Sequence, residues 1–139
     1  MKSSDVMREG FRRVWCEREE AAIDEMLHLE GRVHGLGPEP VVGPAAFKQF
    51  WNQINASFPE AHIDVVDAVD EGPMTYVRCQ GRMTFQGKTV HLSGGAQCHI
   101  EDGKIVEAWN YWDFVGLMAG MGALPFDAFP RACEGDCFS

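Results

Sequence analysis

A change of period at Pro59 limits the fold of this chain more than any other feature. Before it, apolar residues recur every three or four positions. Phe11, Val14 and Trp15 do so behind a candidate N-cap at Ser4, and Ala22, Ile23, Met26 and Leu27 in EREEAAIDEML. The clearest case is GPAAFKQFWNQINASF, where Phe47, Phe50, Trp51, Ile54 and Phe58 fall on one face. Such spacing predicts amphipathic helices that pack their apolar stripe. Between them LEGRVHGLGPEP reads as a short strand and a Gly/Pro loop. After Pro59 the period becomes two. HIDVVDAVDEG alternates, and MTYVRCQGRMTFQGKTVHLSGGAQCHIEDGKIVEAWNYWDF divides into three strands at QGK and EDGK. Asp-Gly is a favoured hairpin dipeptide. Helices first and strands afterwards predict an α+β domain, with helices on one face of a curved four-stranded antiparallel meander. Gly94-Gly95 inside a strand marks a sharp bend or the close approach of another backbone, and GLMAGMGALPF adds a short helical turn and an exit.

At 139 residues the chain fits one domain, residues 1–139, long enough to bury a core without staples. No apolar run approaches the ~20 residues of a bilayer span. MKSSDVMREGFRR starts as a polar helix with no apolar signal core behind it. A cytoplasmic protein without a membrane partner is expected. The net charge of −9 argues against nucleic acid, which asks for a basic patch. Five cysteines form an odd, irregular set that reads as free thiols. Cys133 and Cys137 are the only close pair, and no second pair completes a zinc site.

The run KIVEAWNYWDF carries the question of chemistry. It sets Trp109, Tyr111 and Trp112 ahead of one carboxylate, Asp113. On an unbroken pleat Glu107, Trp109, Tyr111 and Asp113 share a face, although a bulge would change which partners join Asp113. Aromatic walls raise a carboxyl pKa and make it a proton donor and acceptor near neutrality. The alternative is an Asp113 that caps a helix starting at Phe114, which lowers its pKa. Tyr111 is a candidate hydrogen-bond donor to a substrate oxygen. His34 is the best second proton-transfer group, set against a strand histidine satisfied by a backbone carbonyl. Arg78 reads first as outward-facing, with an inward role holding an oxygen anion as the alternative. No histidine pair has the spacing of a zinc helix, so no metal is expected.

Taken in order, VHG, GPAAFKQFW, SFPEAHIDV, VRCQGRMTF and EDGKIVEAWNYWDFVGLMAGMG resemble the SnoaL-like polyketide cyclase family, within the nuclear-transport-factor-2-like folds. The likeness spans about residues 5–124 and leaves a tail at 125–139. It implies a cone-shaped barrel, in which a strongly curved sheet wraps the N-terminal helices around an apolar pocket. By the same resemblance Asp113 matches the aspartate that serves these cyclases as acid/base in an intramolecular aldol closure, without metal or organic cofactor. Two departures stand out: the link Phe85-Gln86-Gly87-Lys88 is shorter than in many relatives, and Gly120 stands where relatives often carry glutamine.

Two functions follow as expectations. One is a cofactor-independent cyclase, isomerase or hydrolase acting on a small, largely apolar oxygenated substrate. Asp113 and His34 would be catalytic there, and Trp51, Trp109, Tyr111 and Arg78 substrate-binding. The other is a binding or accessory protein with the same pocket and no turnover. The ligand expected in either case is small and apolar or aromatic. Folds of this kind usually cover the sheet face by pairing subunits, so a homodimer through the sheet is expected.

Overall fold

The helical period before Pro59 is realised in α1 (Ser3–Gly10), a π-helical continuation (Phe11–Cys16), α2 (Glu20–Met26) and α3 (Gly43–Ser57). These come from a computed structural model that describes residues 2–138. Helix α1 does not use Ser4 as its N-cap. Ser4 lies inside the first turn, buried, where its N–H (2.8 Å) and its hydroxyl (2.6 Å) both donate to the Asp70 carboxylate. The start of the helix is thereby tied to the far end of a strand. The π-helical segment buries Phe11 and Val14. Arg13 on it reaches Glu19 and Glu25, at 2.6 Å each, and so holds the connection to α2. Helix α3 buries Trp51, whose indole N–H donates to the Val14 carbonyl at 2.8 Å. A buried carbonyl beyond the helix ladder is satisfied in this way, and α3 is fixed to the N-terminal segment.

The period-two region forms β3 (Glu60–Glu71), β4 (Met74–Phe85), β5 (Lys88–Glu101) and β6 (Lys104–Trp112), a continuous antiparallel meander. Gln86 and Gly87 turn the first hairpin with φ of 48° and 80°. Asp102 and Gly103 turn the next with φ of 51° and 74°. Two positive φ values in a two-residue loop match the twist of the flanking strands.

Two further strands enlarge the sheet beyond the expected four. β1 (Leu27–His34) lies beside β6, and β2 (Val41–Val42) beside β1, giving the order β2-β1-β6-β5-β4-β3. The sheet is not wholly antiparallel, because β1 runs parallel to β6. A parallel neighbour requires a long crossover, and here about half of the chain supplies it. The sheet stays open, with β2 and β3 at its edges, and curls as a cone around α1 and the π-helical segment. At Gly94-Gly95 other backbones come close, the second of the two expectations. Any side chain at Gly94 (φ 149°) would collide with the Tyr111 carbonyl, and one at Gly95 with the Val77 carbonyl. The core lies between the sheet's inner face and the helices, with Val77, Cys79, Ala96 and Cys98 packed beneath Val6, Phe11 and Ile23. Phe114–Met121 (α4) and Ala128–Cys133 (α5) follow the sheet. No described helix is long and apolar enough to cross a membrane.

One irregularity decides what faces the core. Ile100 pairs with Ile105 and His99 with Glu107, so Val106 is an extra residue in β6. Such a bulge resets the alternation. The unbroken pleat expected for this strand is therefore corrected: beyond Val106 it is Ala108, Asn110 and Trp112 that face inward, and Glu107, Trp109 and Tyr111 that face out.

Candidate functional site

The cone encloses a cavity of about 170 Å³. Its helical wall comes from Phe11, Val14 and Trp15 and from Phe47, Phe50 and Ile54 of α3. The opposite wall comes from the inner face of the sheet, with Val33, Ala96, Cys98, Ala108 and Trp112, and Leu36, Phe114 and Leu117 complete it. Edge-on aromatic contacts stiffen it. Phe11 meets Trp112 at 6.1 Å, and Trp15 meets Phe47 and Phe50 at 6.1 and 6.3 Å.

Among the described residues no Asp, Glu, His, Lys or Arg lines this cavity. Its one ionisable side chain is Cys98, whose thiol burial pushes up to about 12. A thiol held that far from ionisation is a small apolar group rather than a nucleophile. Polar capacity comes from two amides, Asn55 on α3 and Asn110 on β6, with the indoles of Trp15 and Trp112. Asn110 donates from Nδ2 to the His34 carbonyl and accepts the Trp112 indole N–H at Oδ1, both at 2.9 Å. An asparagine inside an aromatic strand runs against strand preference. That was the signal available for it, and the odd-numbered alternation passed it over. Asn55 likewise interrupts the apolar stripe of α3.

The residues expected to form a site lie elsewhere. Asp113 is exposed, and its Oδ1 accepts the Gly116 N–H at 2.8 Å as the N-cap of α4. It borders a separate polar hollow with Gln80, His91 and Ser93. His34 faces outward, with Nε2 2.7 Å from Glu107 Oε2 and its ring stacked on Trp109 at 5.8 Å. The parallel pairing of β1 with β6 sets Arg32 beside Glu107 and His34 beside Trp109, which creates that cluster. Tyr111 is exposed on the same outer face. Trp51 is buried, but as the strut between α3 and Val14 rather than as cavity wall. Arg78 takes its outward alternative and grips Asp67 across β3 and β4, with a nearest contact of 2.8 Å. The hydrogen bond from Arg78 is the main reason the Asp67 carboxyl sits below its usual range. The structure thus joins His34 with Trp109 and keeps Asp113, Arg78 and Trp51 apart from them and from one another. Among the described residues no group of three His, Cys, Asp or Glu side chains is gathered where it would hold a metal ion.

A profile of the SnoaL-like polyketide cyclase family matches residues 5–121. The chain belongs to that family. Solved structures agree on the fold of this SnoaL-like protein. IdmH from Streptomyces antibioticus, a proposed polyketide cyclase, is 21% identical with a TM-score of 0.76, the match covering 88% of this chain and 99% of that one. TsrD from Streptomyces laurentii is also 21% identical, at a TM-score of 0.76 over 88% of this chain and 96% of its own. An LEH-like epoxide hydrolase from M. tuberculosis is 10% identical, at a TM-score of 0.71 and 96% coverage of both chains. Identities this low speak to the shared fold alone. No curated protein matches the sequence.

Proposed function

We propose that this SnoaL-like protein is a receptor for one small, uncharged, largely apolar molecule held in the cone, acting as a binding or accessory member of its family. The carrying observation is the cavity wall, which is aromatic and aliphatic with two amides and, among the described residues, no carboxylate, imidazole or cation. A general base must come within about 2.6–3.2 Å of the proton it takes, or act through one water. Asp113 and His34, the two expected proton-transfer groups, are instead engaged with Gly116 and Glu107 outside the cavity. An apolar interior of this kind disfavours charge, because a carboxylate moved into it loses its water and meets no cation there.

Titration with indane and with indane-2-carboxylate at pH 7, followed by calorimetry, tests this directly. The hydrocarbon should bind, and the carboxylate at least ~100-fold more weakly. Equal affinities would remove the reading.

A second reading, acid/base catalysis of the cyclase type, is favoured by one observation. Asp113 directly joins Trp112 and Phe114, both of which line the cavity. For catalysis its carboxylate would leave the Gly116 N–H and turn inward. Asp113→Asn preserves a good cap and so separates the readings. A receptor keeps its affinity, whereas an acid/base enzyme loses ring closure while still binding. The proposal also includes pairing of two copies through the outer sheet face, where Tyr76 and Tyr111 are exposed beside Trp109. Light scattering at twice 15.5 kDa supports pairing, and a 15.5 kDa species removes it.

A further inference from the structure

We infer that Asn110 is the residue that reads an oxygen atom on the ligand, so that the cone selects neutral carbonyl or ether compounds over hydrocarbons of the same shape. The inference rests on the receptor reading above and adds what that receptor recognises. Its basis is a count of hydrogen-bonding capacity. The Trp112 indole N–H can only donate, so the Asn110 atom 2.9 Å away is oxygen. A backbone carbonyl can only accept, so the atom 2.9 Å from the His34 oxygen is nitrogen. These two partners fix the amide in one orientation. Each end has used one of its two bonding positions, which leaves one N–H and one lone pair on a side chain that lines the cavity.

Neighbours in the wall do not take up the remainder. Val33, Ala96, Ala108 and Leu36 carry no polar side-chain atoms, and the Trp112 indole is already spent. The backbone here is also held. Gly35, just after β1, takes a φ of +89°, and any side chain there would collide with the Asn110 carbonyl, so the chain leaving β1 approaches β6 as closely as glycine allows. The unspent N–H is therefore presented by a rigid wall, and a bound molecule meets it without reordering the site. Asn55 offers a contrast. It lines the same cavity, but its amide has no hydrogen-bond partner among the described residues and no imposed orientation. An oxygen acceptor satisfies the Asn110 donor, whereas a hydrocarbon shields it from water and leaves it unmatched.

The experiment compares indane with indan-1-one on the wild-type chain and on Asn110→Leu. Taking the ratio of the two dissociation constants in each protein cancels the different cost of removing each ligand from water. The ketone's advantage should fall roughly tenfold in the leucine variant, with indane gaining affinity there because no donor is left unmatched. Because Asn110→Leu also removes the tie to His34 and can destabilise the chain, a second measurement uses only wild-type protein. The two side-chain amide protons of Asn110 are followed by NMR as each ligand is added, and the ketone alone should shift one of them downfield. A ratio that does not change, with amide protons that respond alike to both ligands, overturns the role of Asn110 and leaves the receptor reading intact. If neither compound binds the wild type, the receptor reading fails and this inference fails with it.

Discussion

Along β6, Ala108, Asn110 and Trp112 face the cavity, while Glu107, Trp109 and Tyr111 face the other way. The inner set is neutral and closely packed. The outer set contains a carboxylate that meets His34 at 2.7 Å and a ring on which that imidazole stacks. Both sets come from one nine-residue strand, so composition does not distinguish them. The difference lies in access to water. Outside, ionised groups keep their hydration and find partners, whereas inside only groups that need no charge are tolerated. In this family member, proximity in sequence to an aromatic run does not place a carboxylate in the pocket.

The largest contrast between inside and outside should appear in thiol reactivity. Burial pushes Cys79 and Cys98 up to about 12, whereas Cys133 and Cys137 are exposed. Against an ordinary thiol near 8.5 the inner pair carries roughly a thousandfold less thiolate at neutral pH. Timed alkylation with mass readout should label the tail cysteines first, and labelling of all four at one rate would dissolve the contrast. Next in size is a charge placed on either side. Ala108→Asp should cost about 3–5 kcal/mol in urea denaturation, as an unpaired buried charge. Val69→Asp, at a position 72% exposed, should stay within about 0.5 kcal/mol. Equal effects would mean that the cone is wet.

The smallest effect concerns pH. The Ser4 hydroxyl, aided by the Ser4 N–H and the nearby Lys2 charge, holds the Asp70 carboxyl below its usual value against a smaller opposing push from burial. A carboxyl lowered in the folded state stabilises above its unfolded pKa of about 3.9 and loses that contribution as pH falls through the folded value. Asp70→Asn should therefore differ most from wild type near neutrality and converge with it below that window. A gap that is constant from pH 7 to pH 3 would remove this assignment.

Much of the fold was legible because it is local. The stripe on α3 and the Asp102-Gly103 turn each follow from neighbours a few residues apart. The parallel union of β1 with β6 joins Leu27–His34 to a strand more than 70 positions later, and no local pattern announces it. The site was legible only in outline. That Asp113 caps α4 was one of two readings the residues allowed, and its bond from the Gly116 N–H realises the cap. Asn110 was missed because Val106 shifts the alternation by one, and a bulge is a property of two strands that no single strand spells out.

That extra residue has a consequence for descent. With the bulge at Val106, β6 shows its neutral side to the cone. With the same sequence and the bulge displaced to a point after Trp112, the unbroken pleat from Ile105 would turn Glu107, Trp109 and Tyr111 inward instead. A lineage of such sheets can thus exchange a neutral interior for an ionisable one by relocating a single irregularity, without substituting any residue that carries the chemistry.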